Sequence, residues 1–273
     1  MTSSPCWCGE HEFESVREQR VVRCRACGLA RNHPLPHHAG TKASQYGTFD
    51  PAKMTPEYRA DKARSRGSYL GVLLSQASGG ELLDVGSGEG FLLEGARKAG
   101  FSIHGVELNA GKATWTRDHL GMDVRTGTLQ DARFPEASFD VVTCFAVLEH
   151  VPDPLELLKE CLRILKPGGL LMLAVPNIRG QFLQMRLSWL THITERWLQP
   201  EQHCWHFEPE TLGQLVARAG FIGFKSFARP KFRHEMLKVR GLNLPKVLLR
   251  RILFSITERM NLTPEMCAVA RKG

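Results

Sequence analysis

The chain has 273 residues, 42% hydrophobic and 23% charged, close to globular averages and ample for a full core. No stretch approaches the roughly eighteen apolar residues of a membrane span. The opening Met1-Thr2-Ser3-Ser4-Pro5-Cys6 lacks the basic and apolar regions of a signal peptide, so a cytoplasmic protein with reduced thiols is expected.

Taken in order, the chain first shows a cysteine cluster. Cys6 and Cys8 form C-x-C-G, and after a fifteen-residue gap Cys24 and Cys27 form C-x-x-C-G. Each half ends in a glycine that permits a tight turn of backbone amides toward thiolates, the pattern of zinc knuckles. Phe13, Val16 and Val21-Val22 suffice for a short hairpin between them. A closed four-thiolate site has no open position for substrate, so its expected role is folding residues 1–32. His11 or His33 is an alternative ligand, and free thiols or a redox pair are the alternatives to zinc. Cys144, Cys161, Cys204 and Cys267 are scattered and read as ordinary thiols.

Residues 33–80 form a linker and a helix. Prolines in His33-Pro34-Leu35-Pro36-His37-His38 forbid helix there, and the histidines read as solvated linker. From Pro56 to Ser75, Tyr58, Tyr69, Leu70, Leu73 and Leu74 have helical spacing.

The apolar Leu82-Leu83 then runs into Asp84-Val85-Gly86-Ser87-Gly88-Glu89-Gly90, followed by the helical pattern of Phe91 to Ala96. A strand, a glycine turn and a helix meet here, which lets backbone N–H groups approach a ligand. The spacing is not the dinucleotide G-x-G-x-x-G, since position 91 is Phe, and it lacks the Lys-Ser/Thr of a P-loop. An acid at the strand end repels a pyrophosphate and attracts an ammonium or sulfonium group. The implied ligand is a cationic nucleoside amino acid.

A second strand, Phe101–Glu107, ends in an acid beside Leu108. Gly127-Thr128-Leu129-Gln130-Asp131 is a turn, and Ser138–Phe145 reads as the fourth strand. Its loop is Leu148-Glu149-His150-Val151-Pro152-Asp153-Pro154. Lys166-Pro167-Gly168-Gly169 turns into a strand over Leu170–Asn177.

These ordered stations, from about Leu82 to Gly220, resemble the class I S-adenosylmethionine (SAM) dependent methyltransferases. The resemblance implies an α/β fold, a Rossmann-like seven-stranded and mostly parallel sheet with an antiparallel last strand, in residues 81–273, preceded by the small N-terminal ribbon. It implies a SAM site at Asp84, Gly86, Ser87, Gly88, Gly90, Glu107, Leu108, Leu129, Gln130 and Phe145. In the family the acid at Glu107 accepts hydrogen bonds from both ribose hydroxyls. An acid commonly follows the glycine of the adenine-contacting turn; Thr128 stands there, leaving Gln130 and Asp131 available to read the adenine. A helix such as 56–75 caps the pocket in related enzymes, where Tyr46, Tyr58, Arg64 and Arg66 are candidates for the cofactor carboxylate. The 148–154 loop resembles that of ubiquinone-type O-methyltransferases, and Cys24–Leu29 resembles the ribbons of methyltransferases acting on sugars.

An insertion at about 180–208 carries Trp189, Trp197 and Trp205 beside His192, His203 and His206. Related enzymes form their acceptor site with it, so His150, His203 and His206 are the candidate bases for a hydroxyl acceptor. A metal held by His203 and His206 with the flanking Glu201 or Glu208 is the less favoured alternative. Glu208 to Gly220 is a capped helix.

From Lys225 to Arg251 there are nine Lys or Arg and one acid, a difference of +8 that equals the net charge of the whole chain. Within a second insertion at about 230–260, Pro245–Met260 has the spacing of an amphipathic helix. It either docks on the core with a solvated basic side or meets an anionic membrane or a phosphate-bearing acceptor. Met266–Ala270 is the last strand. The expected acceptor is a small hydroxylated metabolite, a sugar or an isoprenoid- or lipid-linked compound. The competing class is an RNA or protein methyltransferase docking through ribbon and basic segment. The absence of an Asn-Pro-Pro-Tyr motif at 145–150 argues against base modification, and nucleic acid is not an expected partner. A catalytically idle SAM-binding scaffold is disfavoured by the intact stations.

Overall fold

The computed structural model describes residues 6–9, 12–16, 21–36, 48–186, 201–229, 252 and 255–273. Tyr46, Trp189, His192, Trp197, His11, His37, His38 and basic residues 231–251 lie outside them.

The chain begins with three short strands, β1 (Phe13–Ser15), β2 (Val21–Cys24) and β3 (Ala30–Asn32), paired as an antiparallel meander. Helix α1 (Pro56–Gln76) follows, its first turn capped by the Thr55 hydroxyl on Tyr58 N–H. Then come β4 (Gly80–Val85), α2 (Phe91–Lys98), β5 (Phe101–Glu107), α3 (Ala110–Leu120), β6 (Asp123–Thr126), α4 (Leu129–Ala132), β7 (Phe139–Phe145), α5 (Pro154–Ile164) and β8 (Leu165–Pro176). After α6 (Ile178–Arg186), β9 (Trp205–His206) and α7 (Pro209–Arg218), β10 (Phe221–Ala228) and β11 (Glu265–Lys272) close the fold.

Seven strands form one sheet in the order β10-β11-β8-β7-β4-β5-β6. The pairs from β8 to β6 are parallel, whereas β11 runs antiparallel to both β8 and β10. Parallel strands covered on both faces read as continuous apolar runs, and Leu170–Val175 is buried throughout. Leu82, Val141 and Met172 face a core shared with α1, α2 and α3. Leu83, Val142, Leu171 and Leu173 face a second core with α5 and α7. Helix α5 shows why: Asp153 caps it, Pro154 opens it, and Leu157, Leu158, Cys161 and Ile164 form its buried face. Truncating the fully buried Leu158 to Ala costs about 2–5 kcal/mol.

The N-terminal cysteine-bearing segment is part of this second core. Cys6, Cys24 and Leu29 pack in it with Trp205 and Phe207. Strand β9, from the insertion, adds to β3 antiparallel with Ala30 opposite His206 and Arg31 opposite Trp205. Strand β8 starts at Leu165, earlier than its sequence indicates, because Lys166–Gly169 is absorbed at its start beside a register shift between Phe139 and Val141. Of the amphipathic segment, 255–259 is helical, and Ile252, Ile256 and Met260 are exposed.

Candidate functional site

The parallel strands β4, β5 and β7 end on one edge of the sheet, where doubly wound folds place ligands. After β4 the chain turns through Gly86, Gly88 and Gly90, with φ of 75°, 56° and 78°, a left-handed run open to glycine. Gly86 N–H and Ser87 N–H donate to the Val106 carbonyl at 2.8 and 3.0 Å, fastening the turn to β5. The Glu107 carboxylate accepts from Gly88 N–H at 2.7 Å and Asn109 N–H at 2.8 Å. One lone pair on each oxygen is thereby committed, and the other on each is left for a ligand.

A cavity of about 470 Å³ opens beside this turn. Gly86, Gly88, Glu107, Leu108, Thr128, Leu129, Gln130 and Phe145 line one part of it. A Cβ placed on Gly88 would meet nothing within 4 Å, so the bare backbone borders open space. Helix α1 presents Tyr58, Lys62 and Arg66, each four residues apart, along another side. Val147, Val151, Pro152, Asp153, Glu156 and Leu157 complete the wall. Phe145 is backed by Tyr69, with ring centroids 4.6 Å apart, and Ala146 after it has a φ of 55°. That left-handed alanine is local strain at a strand end facing the cavity.

Asp84, Ser87 and Gly90 do not line this cavity. Asp84 is enclosed in the sheet, where it accepts from the Thr143 hydroxyl at 2.7 Å, and burial pushes its pKa up to about 6. Asp131 is likewise occupied, closing a capping box with Thr128 at the start of α4. Arg64 is not a lining residue, whereas Lys62, which sequence reasoning passed over, is.

The three candidate histidines gather, but not on the cavity wall. His150 follows β7, and His203 and His206 flank β9; centroid distances are 4.8 Å for 150–203 and 6.1 Å for 203–206. All three are buried. His150 Nδ1 lies 3.1 Å from the Gln202 carbonyl, which can only accept, so Nδ1 carries the proton. Asn32 Nδ2 donates to the His203 carbonyl at 2.8 Å, so its Oδ1 accepts from His206 Nε2 at 3.1 Å. Burial lowers the pKa of His203 to about 3, with His150 and His206 adding to the effect, and that of His206 to about 4. Glu149 joins the group, its Oε1 3.9 Å from His150 Nε2. Glu208, an expected neighbour of the pair, is instead held by Arg23 at 2.6 Å and Arg179 at 2.7 Å.

The four N-terminal cysteines converge: one ligand atom from each lies within 4.8 Å of the others. Cys6 and Cys27 sulfurs are 3.4 Å apart and those of Cys8 and Cys24 3.6 Å, so none forms a disulfide. A tetrahedron of sulfurs at about 2.3 Å from zinc has edges of about 3.8 Å, so the set fits that ion. The hydrogen bond between Cys6 and Cys27 lowers the Cys27 thiol and raises that of Cys6. His33 is not part of this group.

Comparison with known proteins bears on this arrangement. A family described as "Methyltransferase domain" matches residues 57–222. A ubiquinone biosynthesis O-methyltransferase of Actinobacillus pleuropneumoniae serotype 7 is 30% identical over 176 residues, covering 57% of this chain and 72% of the relative. One from Caulobacter vibrioides is 30% identical over 188 residues, covering 64% and 73%. Among solved structures, a SAM-dependent methyltransferase from Archaeoglobus fulgidus aligns with a TM-score of 0.55 at 20% identity, over 78% of this chain and 94% of that one. The phosphoethanolamine N-methyltransferase 2 of Haemonchus contortus in complex with SAM gives a TM-score of 0.53 at 15% identity, over 82% and 58%.

Proposed function

The chain belongs to the methyltransferase domain family and is a SAM-dependent methyltransferase, and from that premise we propose that it methylates an oxygen of a small hydroxylated acceptor, a sugar or an isoprenoid- or lipid-linked metabolite. The observation that carries the cofactor placement is the Glu107 carboxylate, fixed by two backbone N–H groups and lining the cavity with acceptor capacity to spare. Glu107 would take the ribose hydroxyls, Gln130 the adenine edge, and Tyr58, Lys62 and Arg66 the methionyl carboxylate. When bound, SAM supplies a methyl group activated on a sulfonium. The chain's own task is to hold the acceptor in line and keep water out. Val147, Val151, Pro152 and Leu157 give that part of the wall an apolar face suited to a small molecule.

A hydroxyl acceptor must lose its proton, and Glu149 and His150, around which the buried His203 and His206 gather, lie between the cavity-lining Val147 and Val151. His203 and His206 are neutral at neutral pH by virtue of their lowered pKa values. The relatives named as O-methyltransferases support oxygen as the target atom. In the ribbon, the four thiolates of Cys6, Cys8, Cys24 and Cys27 would hold a structural zinc ion.

Transfer of labelled methyl from SAM into fractionated cell extract tests the acceptor. Label is expected in the small-molecule or lipid fraction. Label confined to RNA or protein overturns the proposal in favour of a macromolecular substrate.

A further inference from the structure

Helix α1 lends Tyr58, Lys62 and Arg66 to the cavity wall, and Tyr69 on the same stretch backs the cavity-lining Phe145, ring centroids 4.6 Å apart. This part of α1 is fastened to the antiparallel strands by a polar knot. The Tyr69 hydroxyl donates to Oε1 of Glu265, the first residue of β11. Arg229, just beyond β10, donates from Nη1 to Glu265 Oε2 at 3.1 Å and from Nη2 to the Ser65 hydroxyl at 2.7 Å. Its guanidinium carbon lies 5.0 Å from the centre of the Tyr69 ring, and that of Arg66 lies 5.6 Å from it. One carboxylate and one arginine thus hold the Ser65–Tyr69 turn of α1 to the other half of the sheet.

The knot is sheltered: the Glu265 side chain is 26% exposed and that of Arg229 11%, so water and salt screen their charges less than at an open surface. Burial pushes the Glu265 carboxyl up to about 7, against the pull of the Arg66 guanidinium. The titratable or charged groups around it are Arg66 and Tyr69 from α1, Arg229 from the end of β10 and, on its own strand, Cys267. Burial pushes the Cys267 thiol up, which keeps it uncharged. Arg66 also acts on Asp84 in β4. The charge of this one cavity-lining guanidinium is therefore divided between the cavity and two acids within the fold.

We propose that Glu265 is a positioning residue for the cofactor: it seats the Ser65–Tyr69 turn so that Arg66 meets the methionyl carboxylate of SAM, and it competes with that carboxylate for the Arg66 charge. The proposal rests on the reading of Arg66 as a carboxylate contact. Its consequence follows from reciprocity between two sites that share one group. A carboxylate arriving at Arg66 offsets the pull on Glu265, so cofactor binding strengthens the hold of Glu265 on its proton and takes up part of a proton near pH 7. Affinity for SAM is then higher below pH 7, where Glu265 is neutral, and lower above it, where ionised Glu265 draws on Arg66. A displacement of half to one pKa unit corresponds to about three- to tenfold in affinity across that range.

The test is calorimetry of SAM binding to the full chain between pH 6 and 8, in buffers of different protonation enthalpy. The amino group of SAM titrates in the same range, so the reference is Glu265→Gln, which keeps an oxygen for the Tyr69 hydroxyl and carries no charge. This variant should match the parent at pH 6, bind about three- to tenfold more tightly than it at pH 8, and take up about a third of a proton less at pH 7. Tyr69→Phe, which cuts the tie and keeps the ring, should weaken SAM about three- to tenfold at both ends of the range. Carbon NMR of the Glu265 carboxyl in the unsubstituted protein, which needs no variant, should titrate near 7 and move up by half to one unit when SAM saturates the site. Arg66→Gln should weaken SAM throughout; parental affinity there removes the carboxylate contact and the inference with it. With that loss observed, the inference alone is overturned by a Glu265 carboxyl that SAM does not move, by a Glu265→Gln profile that follows the parent, or by parental affinity in Tyr69→Phe.

Discussion

Gly86→Ala probes whether the cavity depends on the close approach of the glycine turn to the β7 loop. Gly86 has a φ of 75°, and a Cβ there would lie 2.4 Å from Val147 Cγ2. The left-handed backbone costs an alanine roughly 1–2 kcal/mol. The overlap adds about 1–3 kcal/mol, because valine is stiff at χ1 and cannot swing away freely. The total of about 2–5 kcal/mol should appear as a lower Tm, at roughly 2–4 °C per kcal/mol for a chain of this size. Both partners line the cavity, so calorimetry should also show SAM affinity reduced by at least about tenfold, which corresponds to 1.4 kcal/mol. Adding Val147→Ala should recover the overlap but not the backbone cost, giving a favourable coupling of about 1–3 kcal/mol in a double-mutant cycle. Parental melting and SAM affinity in Gly86→Ala, or zero coupling, would refute the reasoning.

Asp84→Asn should stabilise the protein at neutral pH. The carboxyl rises from its ordinary 3.8 to about 6 in the fold, so below 3.8 both states keep the proton and the group is neutral to stability. As pH climbs from 3.8 through 6 the folded state keeps a proton the unfolded state has released and finally must ionise a buried group, a loss of about 3 kcal/mol that the amide avoids; melts at about pH 3 and pH 7 should show equal stability at the first and a gap at the second. Asn32→Ala should cost about 2–4 kcal/mol by leaving His206 Nε2–H and the His203 carbonyl without partners, read as a lower Tm and faster amide exchange across 201–206. Elemental analysis should find one zinc per chain at the cysteines, lost in Cys24→Ser, and a chelator should expose residues 21–36 to protease; a well-folded ribbon without metal counts against that site.

What the sequence made legible was what local spacing encodes. The glycine turn, the acid closing β5 and the α1 face all follow from chemistry within a few residues; Lys62 was passed over although its place four positions from both Tyr58 and Arg66 is a signal that could have found it. Asp84 reads in the sequence as a ligand contact, whereas its environment in the fold is set by Thr143 on the neighbouring strand, a partner fifty-nine positions away. Glu149 was missed for the same reason: its proximity to His203 depends on how β9 returns to the β7 loop. A two-residue strand pairing with a ribbon far upstream leaves no periodicity to read.

That return path gives the ribbon a mechanical role in the site. Asn32 N–H donates to the Cys204 carbonyl at 3.1 Å, Cys204 N–H to the Glu149 carbonyl at 2.7 Å, and Trp205 Nε1–H to the Val151 carbonyl at 3.0 Å. Three hydrogen bonds therefore lead from β3, beside the cysteine knuckles, to a residue on the cavity wall. A segment of this size buries too little surface to hold its own shape, so it depends on the cysteine cluster and on docking against Trp205 and Phe207. Loosening either end frees β9 and with it the position of Glu149. The N-terminal segment is thus coupled to the cavity wall through β9, by backbone hydrogen bonds and the Trp205 side chain together, and metal at the cysteines and order at the histidines should rise and fall together.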